Sequence, residues 1–363
     1  MTKAAVLHAY DTPLVIESLT LRDPRPDEVL VKMGASGVCH SDLSVIRGKL
    51  PVPPPSVLGH EGAGVVEAVG KAVTSLKPGD HVVLSWVDSC GRCVYCVSGK
   101  QHLCEQTVME SLTGQDDVFS KGGTRIGRMA GVGSFAERTI VRERAAIKID
   151  PDIPLDRACL VGCGVMTGVG AAINTVQMQP GDTVAVFGCG GVGLNVIQGA
   201  ALSGAGRIIG IDLAPRKLEM ARQFGATDTV QAGAGTDVPA AVKELTGGLG
   251  ADYAFEVIGV PDIILQAYLS IRRGGAVVVV GVAALDAMAM IPAGGLVLEE
   301  KRVLGSLYGS TNQQRDMPKL LDLYKGGKLK IDELVSRRIA LDDVNAAFEA
   351  MEQGEVARSV IVY

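Results

Sequence analysis

The chain has 363 residues, which at roughly 150 residues per domain is enough for two domains. It is 47% hydrophobic and 21% charged with a mean hydropathy of +0.27, which excludes a disordered chain. Thirty-five basic residues against 40 acidic ones leave a net charge of −5 with no long run of either sign, which argues against a nucleic-acid binder.

The N-terminal segment MTKAAVLHAY has no basic stretch followed by an apolar one, so it reads as a first strand and not as a signal peptide. The longest apolar run, residues 276–285, is broken by Gly281 and is too short to cross a bilayer. No membrane or nucleic-acid partner is expected. Eight cysteines, four of them in one tight cluster, do not form the pattern of a small secreted disulfide framework, so a cytoplasmic location is expected.

Two textures follow one another along the chain. Up to about residue 160, short β-like segments such as KAAVLHAY, LVIESL, EVLVKMGASGV, GAGVVEAVG and DHVVLSWV are punctuated by Gly and Pro, with one helical turn over 41–47. From about 165 to 300, short apolar strands at 183–187, 208–212, 228–230, 252–257, 276–281 and 303–307 alternate with helical stretches. Continuous apolar strands between helices call for a parallel sheet covered on both faces, and six of them fit a doubly wound dinucleotide fold. The tail carries two amphipathic helices near 317–325 and 341–353, then a last strand at 358–363.

Between Cys90 and Cys104 the chain reads CGRCVYCVSGKQHLC, or C-x2-C-x2-C-x7-C, through Cys93 and Cys96. Four thiolates this close suit one tetrahedral Zn²⁺ with every position filled, a structural site. An iron–sulfur cluster uses similar runs, but the x7 gap and the missing Cys-Pro ending fit it poorly. Of the other cysteines and histidines, Cys39 in GVCHSD, His60 in GHEGAG and Cys163 in GCGVMTG stand out by context. A Cys2His set with an open fourth position is a catalytic zinc arrangement, although core packing is the ordinary explanation for any one of them alone. Cys159, Cys189, His8, His81 and His102 read as core or surface residues.

Directly after a strand, VAVFGCGGVGLNVIQGA contains Gly188-x-Gly190-x-x-Gly193 and opens a helix. The next strand, IIGID, ends at Asp212, 19 residues beyond Gly193, which completes a dinucleotide fingerprint. The glycines bring a pyrophosphate to the helix N-terminus. Asp212 accepts from a ribose hydroxyl and repels a 2′-phosphate, so NAD is favoured over NADP, with Arg216 nearby as the one opposing charge.

Together these motifs (GVCHSD, GHEGAGVV, the cysteine lobe, GCGVMTG and GCGGVGLN…GID) resemble the zinc-dependent alcohol dehydrogenases of the medium-chain dehydrogenase/reductase superfamily. The resemblance runs over essentially the whole chain. It implies an α/β fold, with a GroES-like β-rich catalytic domain over 1–164 and 300–363 and a Rossmann doubly wound parallel sheet over 165–299. It also implies NAD and two Zn²⁺ per subunit, a cleft between the domains as the active site, and a homodimer or homotetramer.

By the same resemblance Cys39, His60 and Cys163 hold the catalytic zinc and Cys90, Cys93, Cys96 and Cys104 the structural one. Ser41 bonds the substrate alcohol, Asp42 orients the histidine ligand, and Glu61 is the acidic neighbour of the metal. Thr167, Gly191, Val192, Val257, Ile258, Val280 and Val282 join the fingerprint glycines along the cofactor, with Lys217 near the ribose and His40 and Arg358 against the pyrophosphate. The proton-relay histidine of the liver-type pattern is replaced by Ser44. Leu50, Trp86 and Leu103 fall along the substrate channel, where an indole favours primary, benzylic or allylic alcohols over branched secondary ones. Residues 105–132 are expected to form a loop over the entrance.

The expected activity is therefore reversible NAD-linked oxidation of primary alcohols to aldehydes. The alternative within the family is a glutathione- or mycothiol-dependent formaldehyde dehydrogenase acting on an S-hydroxymethyl thiol, for which Arg125 and Arg128 are candidate cations. The alternative of another class is a non-catalytic NAD(H)-binding protein.

Overall fold

The computed structural model describes residues 1–107, 117–353 and 358–363. The chain forms two units, Met1–Gly164 with Asn312–Tyr363, and Val165–Thr311.

The second unit is a six-stranded, all-parallel sheet. Its spatial order is Asp228–Gln231, Arg207–Asp212, Thr183–Phe187, Ala251–Glu256, Ile271–Val279 and Arg302–Gly305. In chain order that is 3-2-1-4-5-6, the doubly wound dinucleotide arrangement. Val184, Ala185, Val186 and Phe187 of the central strand are all buried, as a sheet covered on both faces requires. Phe187, Ile209, Ile211 and Val277 from the strands pack with Val242, Ala267 and Tyr268 from the helices in one core. Pro215, Pro239 and Pro261 each stand in the first turn of a helix, where the missing N–H costs nothing and the fixed φ helps start it.

This unit runs to Thr311, past the expected boundary at 299. The reason is Arg302–Gly305, which pairs in register with Ile271–Val279 and so belongs to the parallel sheet.

The first unit is β-rich. One group of strands (Thr2–Leu7, Val15–Leu21, Phe119–Lys121, Thr124–Arg128 and Ser56–Val57) closes into a barrel. A seven-stranded sheet is centred on Glu28–Gly37, which pairs antiparallel with Glu61–Val69, Arg138–Arg142 and the C-terminal strand Arg358–Val362. In the first half of Glu28–Gly37, Val29, Val31 and Met33 face inward while Lys32 is exposed, the period-2 pattern of a half-buried strand.

Two expectations for this half are corrected. Helices are not confined to 41–47, since Val94–Val97 and Leu155–Leu160 are also α-helical and the segment near 41–47 is His40–Ile46. Nor is 105–132 one loop. Its described part after residue 116 contains the hairpin Phe119–Lys121/Thr124–Arg128, turned at Gly122 and Gly123, both with positive φ. The rest of that stretch, 108–116, lies outside the described residues.

The helical segment Leu155–Thr175 is long and apolar enough to cross a membrane by length and composition, but 78% of its most apolar window is buried inside the protein. Its regular turns are interrupted by π-helical turns at Val161–Val165 and Ala171–Thr175. Such turns recur at functional sites, and the first of these carries Cys163.

Candidate metal and dinucleotide sites

Cys39 sits at the N-cap of helix His40–Ile46, with a backbone N–H that donates to Asp42 Oδ2 at 3.0 Å. His60 immediately precedes strand Glu61–Val69, and Cys163 comes from the π turn. Three separate elements thus bring these side chains together. One donor atom from each of Cys39, His60, Glu61 and Cys163 lies within 4.8 Å of the others, and all four residues are buried.

Asp42, fully buried, fixes the arrangement. Its Oδ1 accepts from Gly59 N–H at 3.0 Å and faces His60 Nδ1 at 3.3 Å. With Nδ1–H bonded to the carboxylate, Nε2 keeps its lone pair for a metal, the usual buttress of a ligating imidazole. Although burial works against charge, Asp42 and Cys39 hold His60 above its ordinary range. The Cys163 hydrogen bond keeps Cys39 well below the ordinary thiol range against the effect of burial, with Arg358 and His60 adding to it. A buried site that stabilises a thiolate suits a divalent cation. Asp42→Asn should raise the zinc dissociation constant about 10- to 100-fold, measured by competition with a chromophoric chelator; an unchanged affinity would mean that the carboxylate does not orient the ligand.

Ser41 Oγ lies 3.8 Å from Cys39 Sγ. The buried Glu61 has a carboxyl pushed up to about 7 by burial, against the pull of Arg358. Arg358, buried in the same unit, has Nη1 3.4 Å from Glu61 Oε1. Its charge is therefore directed at Glu61 and the cysteines, a contact that the sequence reading, which put it against a pyrophosphate, did not anticipate. Two glycines make room for this pair: a β-carbon on Gly37 would overlap Glu61 Oε2, and one on Gly164 would crowd Arg358 Nη2. No sequence signal marks either glycine, because the neighbours they accommodate are distant in the chain.

The four-cysteine lobe is equally compact. Cys90, Cys93, Cys96 and Cys104 offer sulfurs all within 4.8 Å of one another. Two pairs are 3.9 and 4.0 Å apart. A tetrahedron of 2.3 Å Zn–S bonds has edges of about 3.8 Å, so the spacing fits one zinc. Cys90 N–H donates to Cys104 Sγ and Cys93 N–H to Cys90 Sγ, each at 3.3 Å. Burial opposes a thiolate at Cys104, but hydrogen bonds from Thr107 and Cys90 bring it down to about 6. Burial pushes Cys96 up to about 12.

In the second unit the fingerprint glycines have three distinct reasons. Gly188 turns the chain with φ +99°. A β-carbon on Gly193 would overlap the Gly188 carbonyl oxygen, so helix and strand approach as closely as they do only without a side chain. Gly190 is different: a β-carbon there meets no protein atom within 4 Å. That open cradle before helix Gly191–Leu202 fits a pyrophosphate. Asp212 ends strand Arg207–Asp212 and accepts from Cys189 N–H at 2.9 Å and Ala214 N–H at 3.0 Å, which fixes the carboxylate while leaving lone pairs for a ribose.

Val257 and Ile258 follow strand Ala251–Glu256, and Val280 and Val282 follow Ile271–Val279. All four, like Gly188 and Asp212, are at C-terminal strand ends, where doubly wound sheets bind ligands. Val192 is in the first turn of helix Gly191–Leu202, Thr167 in Met166–Gly170 and Lys217 in Pro215–Gln223. Sequence reasoning missed Glu256. This fully buried carboxylate accepts from Ile258 N–H at 2.9 Å and Gly259 N–H at 2.8 Å, and so shapes the turn carrying Val257 and Ile258.

In the first unit, His40 is exposed, and Leu103 is half-buried in the turn Gln101–Leu103. Leu50 and Trp86 are partly buried against one apolar cluster that includes Leu58 and Phe135.

Comparison with known proteins agrees with this construction. Residues 25–151 match the alcohol dehydrogenase GroES-like domain and 191–326 the zinc-binding dehydrogenase domain. The chain is 43% identical to the NDMA-dependent alcohol dehydrogenase of Amycolatopsis methanolica, over 100% of this chain and 99% of that one. Benzyl alcohol dehydrogenase from Acinetobacter calcoaceticus superposes with a TM-score of 0.94 at 36% identity, covering 99% of each chain. An alcohol dehydrogenase zinc-binding domain protein from Burkholderia ambifaria superposes at 0.95 with 36% identity, over 99% and 98%. The chain belongs to the zinc-dependent alcohol dehydrogenases of the medium-chain dehydrogenase/reductase superfamily.

Proposed function

We propose that this alcohol dehydrogenase oxidises primary, aromatic or allylic alcohols to aldehydes with NAD, reversibly, using one catalytic and one structural zinc per subunit. The observation that carries the reading is the buried donor cluster Cys39, His60, Glu61 and Cys163, with Asp42 behind the imidazole; we assign Cys39, His60 and Cys163 as the ligands and Glu61, which Arg358 faces, as their neighbour. Three protein donors leave a fourth position for an alcohol oxygen. Asp212 and the open cradle at Gly190 support NAD. The aromatic preference rests on Trp86 and on the likeness to a benzyl alcohol dehydrogenase.

Cys39, His60 and Cys163 would hold the catalytic ion, and the cysteine lobe the structural one. Bound zinc supplies a Lewis acid that acidifies an alcohol hydroxyl, and NAD supplies the hydride acceptor. The chain's own residues do the rest. Ser41 Oγ would accept the alcohol proton as its own hydroxyl proton passes on, Asp42 holds the His60 ring in its ligating tautomer, and with Ser44 at the relay position water would carry that proton to solvent. Arg358 balances the charge of Glu61 beside the donors.

Eight free thiols suit a reducing cytoplasm. Exposed Leu285, Met288, Met290, Val297 and Leu298, close in the chain to the edge strand Arg302–Gly305, support a homodimer formed through the second unit.

The test is NADH formation by zinc-replete protein with benzyl alcohol, ethanol, a secondary alcohol, and formaldehyde with and without a low-molecular-weight thiol, with NDMA as a second acceptor. Benzyl alcohol should be turned over fastest with NAD, by a species that sediments as a dimer. Formaldehyde oxidation only with thiol would replace the substrate assignment, and turnover only with NDMA would remove free NAD as the acceptor.

A further inference from the structure

The first unit contains a cavity of about 610 Å³, large enough for an organic ligand, that neither the metal donors nor Ser41 line. Five arginines line it, Arg22, Arg25, Arg125, Arg128 and Arg142, against three carboxylates, Glu28, Asp88 and Asp117. Among the described lining residues the formal balance is two positive charges. The carboxylates are already committed. Glu28 takes both Nη1 and Nη2 of Arg22 at 2.6 and 2.8 Å, Asp117 takes Arg22 and Arg25 at 3.0 and 2.6 Å, and Asp88 takes Arg142 at 3.0 Å. Arg128 is buried and donates to the Ile140 carbonyl. Arg125, exposed on strand Thr124–Arg128, has no ion-pair partner among the described residues. Beside the hydroxyls of Ser85 and Thr107, the rest of the wall is apolar, chiefly Trp86 with Pro53, Pro54, Pro55 and Ala130.

We propose that this cavity binds an organic carboxylate with an apolar body, the carboxylate on Arg125 and the body against Trp86 and the prolines. A planar guanidinium matches a carboxylate with two parallel hydrogen bonds. The Arg125 guanidinium next to an aromatic wall favours such a ligand over a bare inorganic anion, which leaves the apolar wall uncovered, and over a neutral aromatic, which leaves the Arg125 charge unbalanced. The carboxylate comes either from a separate ligand or from the alcohol substrate itself. The binding claim shares Trp86 with the proposed function but none of the metal donors, and only its substrate version rests on that reading.

Trp86 is the only tryptophan in the chain and lines this cavity, so its fluorescence responds to a ligand seated there. Titration of the zinc-replete protein with phthalate should change that emission saturably, with benzamide and inorganic phosphate giving no saturable change in the same range. Arg125→Ala should weaken phthalate at least about tenfold, as expected for a lost charge-assisted hydrogen bond, and Arg125→Lys should restore part of it. Because Arg125 is exposed and has no ion-pair partner among the described residues, its replacement does not threaten the fold. No saturable change with millimolar phthalate, equal binding of benzamide, or indifference to Arg125→Ala each overturns the proposal.

Kinetics then separate the two sources. A carboxylate carried on the substrate gives 4-(hydroxymethyl)benzoate a lower KM than benzyl alcohol, and Arg125→Ala removes the difference. A separate ligand leaves the two KM values equal while phthalate still binds. A protein that turns over neither alcohol fails the functional reading, and the fluorescence result stands or falls on its own.

Discussion

Replacing Cys163 by alanine should lower kcat/KM for alcohol oxidation about a thousandfold or more, because Lewis-acid stabilisation worth several kcal/mol goes with the ion. Zinc content should fall from about two per chain to about one, since the cysteine lobe keeps its own tetrahedral set. The check is metal analysis beside steady-state kinetics, with near-ultraviolet circular dichroism to confirm that the fold survives. Retained activity with one zinc per chain would show that the trio Cys39, His60 and Cys163 is not where the chemistry occurs. The same protein with Cys104 replaced should also lose one zinc, but from the other site, so the two variants together assign each ion to its cysteines.

The second large effect separates two glycines three residues apart. Gly193→Ala forces a methyl onto the Gly188 carbonyl oxygen, a backbone atom that cannot rotate away. It should cost about 3 kcal/mol or more of stability and lower the melting temperature by several degrees. Gly190→Ala meets no protein atom within 4 Å, so the melting temperature of the ligand-free protein should hold. Its methyl nevertheless occupies the cradle assigned to the pyrophosphate, and NAD should bind about 10- to 100-fold more weakly, a few kcal/mol of lost contact. Thermal melts and coenzyme titration distinguish the two. Normal NAD affinity in Gly190→Ala would remove the pyrophosphate from that position.

Those glycines also show how much was readable from the chain. Local constraints were legible: the tight turn at Gly188, the cysteine spacing, and the apolar strands from Thr183 to Val279 all depend on near neighbours in sequence. The chain order of the strands, with the helices between them, was enough to expect the doubly wound sheet. The strand at 303–307 was legible as the sixth of the sheet, but the boundary at Thr311 was not, because Ser306, Gly309 and Ser310 are held in the unit by hydrogen bonds with Asn174 and Thr175, distant in the chain. The hairpin Phe119–Lys121/Thr124–Arg128 was hidden by a polar, glycine-rich composition that reads as a loop, and it is held by closing the barrel with Val15–Leu21 and Ser56–Val57.

The site divides in the same way. The donors Cys39, His60 and Cys163 each sit in a recognisable short motif, and Asp42 follows Cys39 closely enough to be paired with it. The contact between Arg358 and Glu61 joins residues almost 300 positions apart, and the space for Arg358 is left by Gly164, also far from it in the chain. The arginine cavity has no motif at all. Arg22, Arg25, Arg125, Arg128 and Arg142 look like ordinary surface charges until the barrel and the neighbouring strands gather them.

The pairing of Arg358–Val362 with Glu28–Gly37 has a consequence for how the molecule is made. Val360 lies opposite Gly37, so the central sheet of the first unit waits for residues that are made after the whole of the second unit. The second unit, Val165–Thr311, is contiguous and can fold during synthesis. The order of completion is therefore the reverse of the chain order: the nucleotide-type unit can mature first, and the metal-binding unit, begun before it, is completed after it.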